Sequence, residues 1–159
     1  MSKILYLVVP CYNEEAVLYE TAKRLSDRLK GMISSGLVSE ESKILFVNDG
    51  SKDKTWPIIE ALYNQDNIFS GINLSRNKGH QNALLAGLMT AKEYSDMVIS
   101  LDADLQDDIE VIDKFIEEYS TSVKFFMTNK KLLFKTTVLT VIQLTAYFSV
   151  SYWIYRSFN

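Results

Sequence analysis

Apolar residues along this chain follow two alternating rhythms. Residues 3–9 (KILYLVV) form a short apolar run, rich in β-branched and aromatic side chains, that stops at Pro10. Such a run reads as a buried strand. Residues 14–33 then place Val17, Leu18, Ala22, Leu25 and Leu29 near helical spacing with charges between them. The alternation continues with a strand over 43–48 (KILFVN), a helix over 55–64 with Pro57 in its first turn, and a strand over 69–74. A helix over 80–93, a strand over 96–101 and a helix over about 107–119 complete it. Strand and helix alternating with short connections predict an α/β fold: a mainly parallel sheet, helices on both faces, right-handed crossovers.

Ligands of such sheets bind beyond the carboxyl ends of the strands. Polar clusters follow every predicted strand, at 10–14, 48–53, 75–80 and 102–108, and are expected on one rim. The triplet Asp102-Ala103-Asp104 places two carboxylates on the same side of an extended segment. Their repulsion calls for a cation, and Mg²⁺ or Mn²⁺ suits hard oxygen ligands, with Gln106 adding a neutral oxygen. The triplet alone fits a strand-end turn equally well. Asp107 and Asp108 open a helix and read as caps. In Asn48-Asp49-Gly50-Ser51 the glycine permits a sharp turn, leaving Asp49 and Ser51 to meet a nucleobase or ribose or simply to close the turn. Pro10, Tyr12 and Glu14 offer a rigid strand exit, an aromatic face and a carboxylate near a helix start, and Cys11 reads as a bystander. Arg76, Lys78 and His80 lie on the same rim as cations for a diphosphate or as a solvated loop.

Composition narrows the choice. A chain of 159 residues with 47% hydrophobic and 23% charged residues is globular rather than disordered. One cysteine and one histidine exclude a disulfide framework and a multi-histidine zinc site within one chain. The net charge of −3 gives no reason to expect nucleic acid as a partner. No G-x-G-x-x-G or Walker A sequence supports a dehydrogenase or P-loop enzyme. The average hides a break, however. Residues 1–118 hold all 20 acidic residues and 12 of the 17 basic ones, a net of −8, whereas the remainder is free of acid and carries five basic residues. All six glycines and both prolines also precede residue 88.

The segments VVPCYNEE (8–15), FVNDGSKDKTW (46–56), LSRNKGHQNALLAGL (74–88) and SLDADLQDD (100–108), in this order, resemble family-2 glycosyltransferases. They are most similar to the branch that loads sugars onto polyprenyl phosphates, including dolichyl-phosphate mannosyltransferases and bactoprenol glucosyltransferases. The resemblance spans about residues 3–119. It implies a Rossmann-like nucleotide-sugar-binding domain of the GT-A type, with Pro10, Tyr12, Glu14, Val47, Asp49 and Ser51 at the nucleotide. Asp102, Asp104 and Gln106 match the metal and diphosphate motif. Asn48 departs from the family, where aspartate is common. The implied reaction is metal-dependent inverting transfer of a sugar from a UDP- or GDP-sugar to a polyprenyl phosphate. That acceptor is already largely ionised near neutral pH, so it has little need of a strong general base.

Beyond residue 119 the resemblance fades, and the acceptor region of the family is not recognisable. Together with the change in composition, this predicts an incomplete donor domain over 1–119, from a gene truncated or frame-shifted there, followed by a basic and hydrophobic tail over 120–159. Residues 136–155 carry no charge and have the length of a membrane span, although four threonines, two serines and Gln143 weaken it. Lys124, Lys130, Lys131 and Lys135 precede it and would keep the donor domain on the cytoplasmic face of a membrane. A surface-lying segment and a β-prone tail are the alternatives, with a soluble cytoplasmic protein if the tail does not insert. The first strand leads straight into a polar motif, so no secretory leader is expected. Two other readings stand beside the transferase: an inactive remnant retaining at most nucleotide binding, and a sugar nucleotidyltransferase, against which the motif order argues.

Overall fold

A computed structural model describes residues 2–104 and 109–157. The chain divides into two compact units, Met1–Asp113 and Lys114–Asn159. The first holds β1 (Leu5–Cys11), α1 (Leu18–Ser34), β2 (Lys43–Asn48), α2 (Thr55–Gln65), β3 (Phe69–Asn73), α3 (His80–Ala91) and β4 (Met97–Ser100). A short 3-10 turn at Ile109–Val111 leads into α4 (Ile112–Thr128), and α5 (Lys130–Ser157) follows.

The four strands form one parallel sheet in the order β3-β2-β1-β4. The chain lays β2 and β3 to one side of β1, then crosses back to place β4 on the other. The topological switch point therefore lies between β1 and β4, where ligands of open α/β sheets bind. β1 and β2 are buried almost throughout, as two covered faces require, so they read as continuous apolar runs rather than alternating ones.

Helix α3 packs over β1 and β2, with Val8, Leu45, Val47, Ala83 and Ala91 forming one buried cluster. Gly87 makes this approach possible. A Cβ there would lie 2.4 Å from Val8 Cγ1 and 2.8 Å from Val47 Cγ2. Helices α1 and α2 lie against β2 and β3, and α1 buries the stripe Leu18, Ala22, Leu25, Leu29 and Met32. This is the amphipathic face that the spacing predicts.

Several boundaries differ from expectation, among them the start of α4, which is Ile112 rather than about residue 107. β1 runs through Pro10 to Cys11 instead of stopping before the proline. The Cys11 carbonyl accepts from Asp49 on the β2 side, and the Val8 carbonyl accepts from Leu101 on the β4 side. Alternation then turns the Pro10 nitrogen toward β4, past the last register pair Val8–Ser100, where no ladder bond is lost. Helix α1 begins at Leu18, four residues later than predicted: Asn13 turns the chain with a left-handed φ, and residues 14–17 form a separate turn in which the Val17 and Leu18 N–H groups both donate to the Glu14 carbonyl. Helix α4 continues to Thr128, and residues 130–157 are helical, so the β-prone alternative for the tail does not hold.

Candidate functional site

The loops after all four strands meet at the carboxyl edge of the sheet. The first two are joined by reciprocal side-chain-to-backbone hydrogen bonds. The Asn13 N–H donates to Ser51 Oγ (3.0 Å), and Lys52 N–H donates back to Asn13 Oδ1 (2.9 Å). Glu14 N–H donates to Thr55 Oγ1 (2.8 Å), and Glu15 N–H to Asp53 Oδ2 (3.1 Å). Lys54 N–H returns a bond to Glu15 Oε2 (2.9 Å). Asn13 adopts a left-handed φ of 57°, which asparagine tolerates better than most residues, and so turns the chain into this latch. Hydrogen bonds shape the acidity here. Burial raises the Asp53 carboxyl, but bonds from Thr55 and Glu15 outweigh it and hold the group below its ordinary range.

The third loop is bracketed by Asp49. This buried carboxylate accepts from Lys78 N–H at Oδ1 (2.6 Å) and from Gly79 N–H at Oδ2 (2.9 Å). Gly50 lies directly against the same loop. Its φ is 66°, and a Cβ would stand 2.5 Å from Arg76 C and from Asn77 N. Glycine is thus required both by conformation and by space. Asn48, also buried, donates from Nδ2 to Asn73 Oδ1 (2.7 Å) and accepts from Ser51 N–H at Oδ1 (3.2 Å). An amide can do both at once, as an ionised carboxylate cannot, so the departure at position 48 is matched by Asn73.

The fourth loop carries the acidic triplet. Asp102 and Asp104 are exposed and Ala103 is buried between them, and the chain turns at 103–104 instead of staying extended. Nε2 of His80, at the start of α3, lies 3.9 Å from Asp102 Oδ1. Across the switch point, the carboxyl of half-buried Glu14 is raised first by burial, then by the charges of Asp104 and Asp53. Negative potential therefore accumulates where the β1 and β4 loops meet. Among the described residues no three His, Cys, Asp or Glu side chains are grouped closely enough to enclose a metal by themselves. Two hard carboxylates completed by phosphate oxygens are nevertheless a sufficient donor set for Mg²⁺ or Mn²⁺.

The predicted residues separate into two groups. Tyr12, Glu14, Ser51, Asp102 and Asp104 reach the rim surface, Tyr12 with 41% exposure. Pro10, Val47 and Asp49 are buried behind it: Pro10 within β1, Val47 beneath α3, and Asp49 in its bracket. Gln106, Asp107 and Asp108 lie outside the described residues. Cys11 is buried, with its thiol donating to the Val9 carbonyl (3.4 Å) and pushed up by burial and then by Glu14, which leaves it an inert packing group. The sequence reading missed Asn13, Asp53, Thr55 and Thr21, whose contacts join distant segments. The capping-type residues Asp53, ahead of α2, and Thr55, its first residue, were the available signal.

Comparison with known proteins agrees with this architecture. Residues 6–140 match the family described as glycosyl transferase family 2, further along the chain than the quoted motifs reach. The chain is 52% identical over 116 residues to the Bacillus subtilis (strain 168) protein named uncharacterized glycosyltransferase YkoT, covering 73% of this chain and 34% of that protein. It is 38% identical over 127 residues to the prophage bactoprenol glucosyl transferase homolog of Escherichia coli (strain K12), covering 78% and 38%. It thus spans little more than a third of these relatives. Among solved structures, a mannosyltransferase from Pyrobaculum calidifontis in complex with GDP-Man and Mn²⁺ shares the fold with a TM-score of 0.53 at 18% identity, covering 65% of this chain and 28% of that one. TarS from S. aureus superposes with a TM-score of 0.50 at 24% identity, covering 64% and 16%. A parallel sheet with its polar loops gathered at one switch point and a family match over most of its length lead to one conclusion: the chain belongs to glycosyltransferase family 2.

Proposed function

We propose that this chain takes a nucleotide sugar at the rim between β1 and β4 and transfers the sugar, with inversion, to a polyprenyl phosphate. The observation that carries this reading is the exposed pair Asp102 and Asp104 on the loop after β4 at the switch point, a hard-oxygen pair suited to a divalent cation and its diphosphate partner. A bound Mg²⁺ or Mn²⁺ would stabilise charge on the departing nucleoside diphosphate. Asp102 and Asp104, with Gln106 beside them, would hold the ion. Tyr12 offers a ring face and Ser51 a hydroxyl to the nucleoside, while Asp49, Pro10 and Val47 act from behind by fixing the backbone of the loops. Arg76 and Lys78 supply positive charge along the β3 side of the rim, and His80 stands beside Asp102.

The acceptor assignment rests on the bactoprenol glucosyl transferase named among the relatives. An ionised phosphate is a competent nucleophile without a strong base, so cationic binding of the acceptor matters more than proton abstraction. Placement at the cytoplasmic face of a membrane rests on Lys124 and on Lys130, Lys131 and Lys135 at the amino-terminal end of Lys130–Ser149, a segment with the length and composition to cross a bilayer.

Calorimetric titration of the full chain with UDP, UDP-glucose and GDP-mannose, each with and without Mn²⁺, tests the donor half. Metal-dependent binding of one nucleotide is expected, and no binding by folded protein would overturn the reading. For the chemistry, Asp104→Asn should lower transfer to polyprenyl phosphate on the order of a hundredfold or more. Near-normal transfer by that variant would remove the acidic triplet from the mechanism, and donor binding by the parent chain with no transfer would restrict it to nucleotide binding.

A further inference from the structure

We propose that Thr21 is a positioning residue that sets the geometry of the acidic triplet from behind, a role that rests on the nucleotide-sugar reading above. Thr21 belongs to α1, within a stripe that otherwise buries Leu18, Ala22, Leu25 and Leu29, and it is 2% exposed. A hydroxyl in such a stripe is costly unless bonded. Its ordinary helical partner is the carbonyl four residues back, and Thr21 Oγ1 does lie 3.1 Å from the Val17 carbonyl. The shorter contact is to the Ala103 carbonyl, at 2.6 Å and 82 residues away.

That carbonyl belongs to the residue between the two exposed carboxylates. The β1–β4 ladder ends with Leu101 N–H donating to the Val8 carbonyl (3.0 Å), and two residues later Thr21 supplies a buried anchor. Fixing the Ala103 carbonyl inward fixes the peptide plane that joins Ala103 to Asp104, and the carboxylates of Asp102 and Asp104 then fork outward as a pair. Because α1 also follows directly from the Tyr12–Glu14 loop, this one hydroxyl ties the two sides of the switch point together. Groups that orient metal-binding residues from behind typically alter metal affinity tenfold to a hundredfold when removed.

Thr21→Val keeps the shape and removes the donor, and Thr21→Ser keeps the donor. In the full chain without metal or nucleotide, amide hydrogen exchange across residues 101–104 is expected to rise about tenfold in Thr21→Val. Its Mn²⁺-dependent affinity for UDP, or for GDP where the parent chain prefers it, is expected to fall about tenfold to a hundredfold. Thr21→Ser should recover both. Ser42→Ala is the control: it removes another buried hydroxyl tether, to Leu5 N–H (3.0 Å), remote from the rim. It should lower stability while leaving exchange at 101–104 and nucleotide affinity near the parent values. Exchange in Thr21→Val no faster than in Ser42→Ala would overturn the tether whatever the ligand. Faster exchange with unchanged Mn²⁺–nucleotide affinity would overturn the positioning role. A parent chain that binds no nucleotide with Mn²⁺ would overturn the nucleotide-sugar reading and this role with it, and the exchange data would separate that failure from failure of the tether.

Discussion

Asp49 shows how a motif residue can serve a site without facing it. Both of its oxygens accept backbone N–H groups of the loop after β3, so the carboxylate holds Lys78 and Gly79 in place at the start of α3. Asp49→Asn keeps one acceptor and points an amide donor at the other N–H, so one of the two charge-assisted bonds of the bracket is lost. The expected loss of stability is about 1–3 kcal/mol, read as a lower urea midpoint with an unchanged slope. A midpoint equal to that of the parent chain would show that the bracket contributes nothing. Residue type and spacing made Asp49 conspicuous in the sequence, but its partners were not legible. They are main-chain groups 29 and 30 residues away, and a carboxylate in a turn has the same spelling whether it meets a ribose or its own backbone.

At the scale of elements, the strands were legible because burial on both faces leaves a continuous apolar run, as in LYLVVPC and KILFVN. The start of α1 was not, since the latch between the loops after β1 and β2 fixes residues 13–15 and leaves 14–17 as a turn ahead of the helix. Such a latch, formed by bonds between residues 38 to 41 apart, has no local signature. It makes a prediction about pH. The folded pKa of Asp53 lies below its unfolded value, so its contribution to stability is present in full above about pH 4 and is lost as pH falls through the lower, folded value. The stability gap between the parent chain and Asp53→Asn should therefore stay constant from neutral pH to about 4 and close below it. Urea midpoints of both proteins across that range check this, and a gap that persists undiminished into strong acid would mean that the carboxylate's charge does not hold the latch.

At the scale of the whole molecule, the chain joins an acidic sheet domain to a segment without acidic residues, and the two obey different rules of solubility. The sequence reading counted the threonines of the tail against a membrane span, because a hydroxyl in hydrocarbon must be satisfied. The structure answers this locally. Thr137, Thr140 and Thr145 each donate to the carbonyl four residues earlier at 2.8–3.0 Å, and Thr136 lies within bonding distance of the carbonyls of Leu132, four residues earlier, and Leu133, three earlier. Each hydroxyl is thereby bonded within α5, as the bilayer interior demands. Meanwhile Phe134, Leu139, Val141, Ile142, Leu144 and Phe148 are exposed, an arrangement suited to lipid rather than to water. The proposed membrane placement then has a sharp consequence. Ile142 lies within the Lys130–Ser149 window, and an arginine near the centre of a span costs about 2.5–3.5 kcal/mol. Full-length chain should resist alkaline carbonate extraction from membranes, Thr140→Val should behave likewise, and Ile142→Arg should shift a large share into the soluble fraction. Equal extraction of all three proteins would argue that α5 is not held by the hydrocarbon core. Lys124 and the lysines of its first turns would then bind headgroups by charge alone, a mode that added salt weakens and that Ile142→Arg leaves intact.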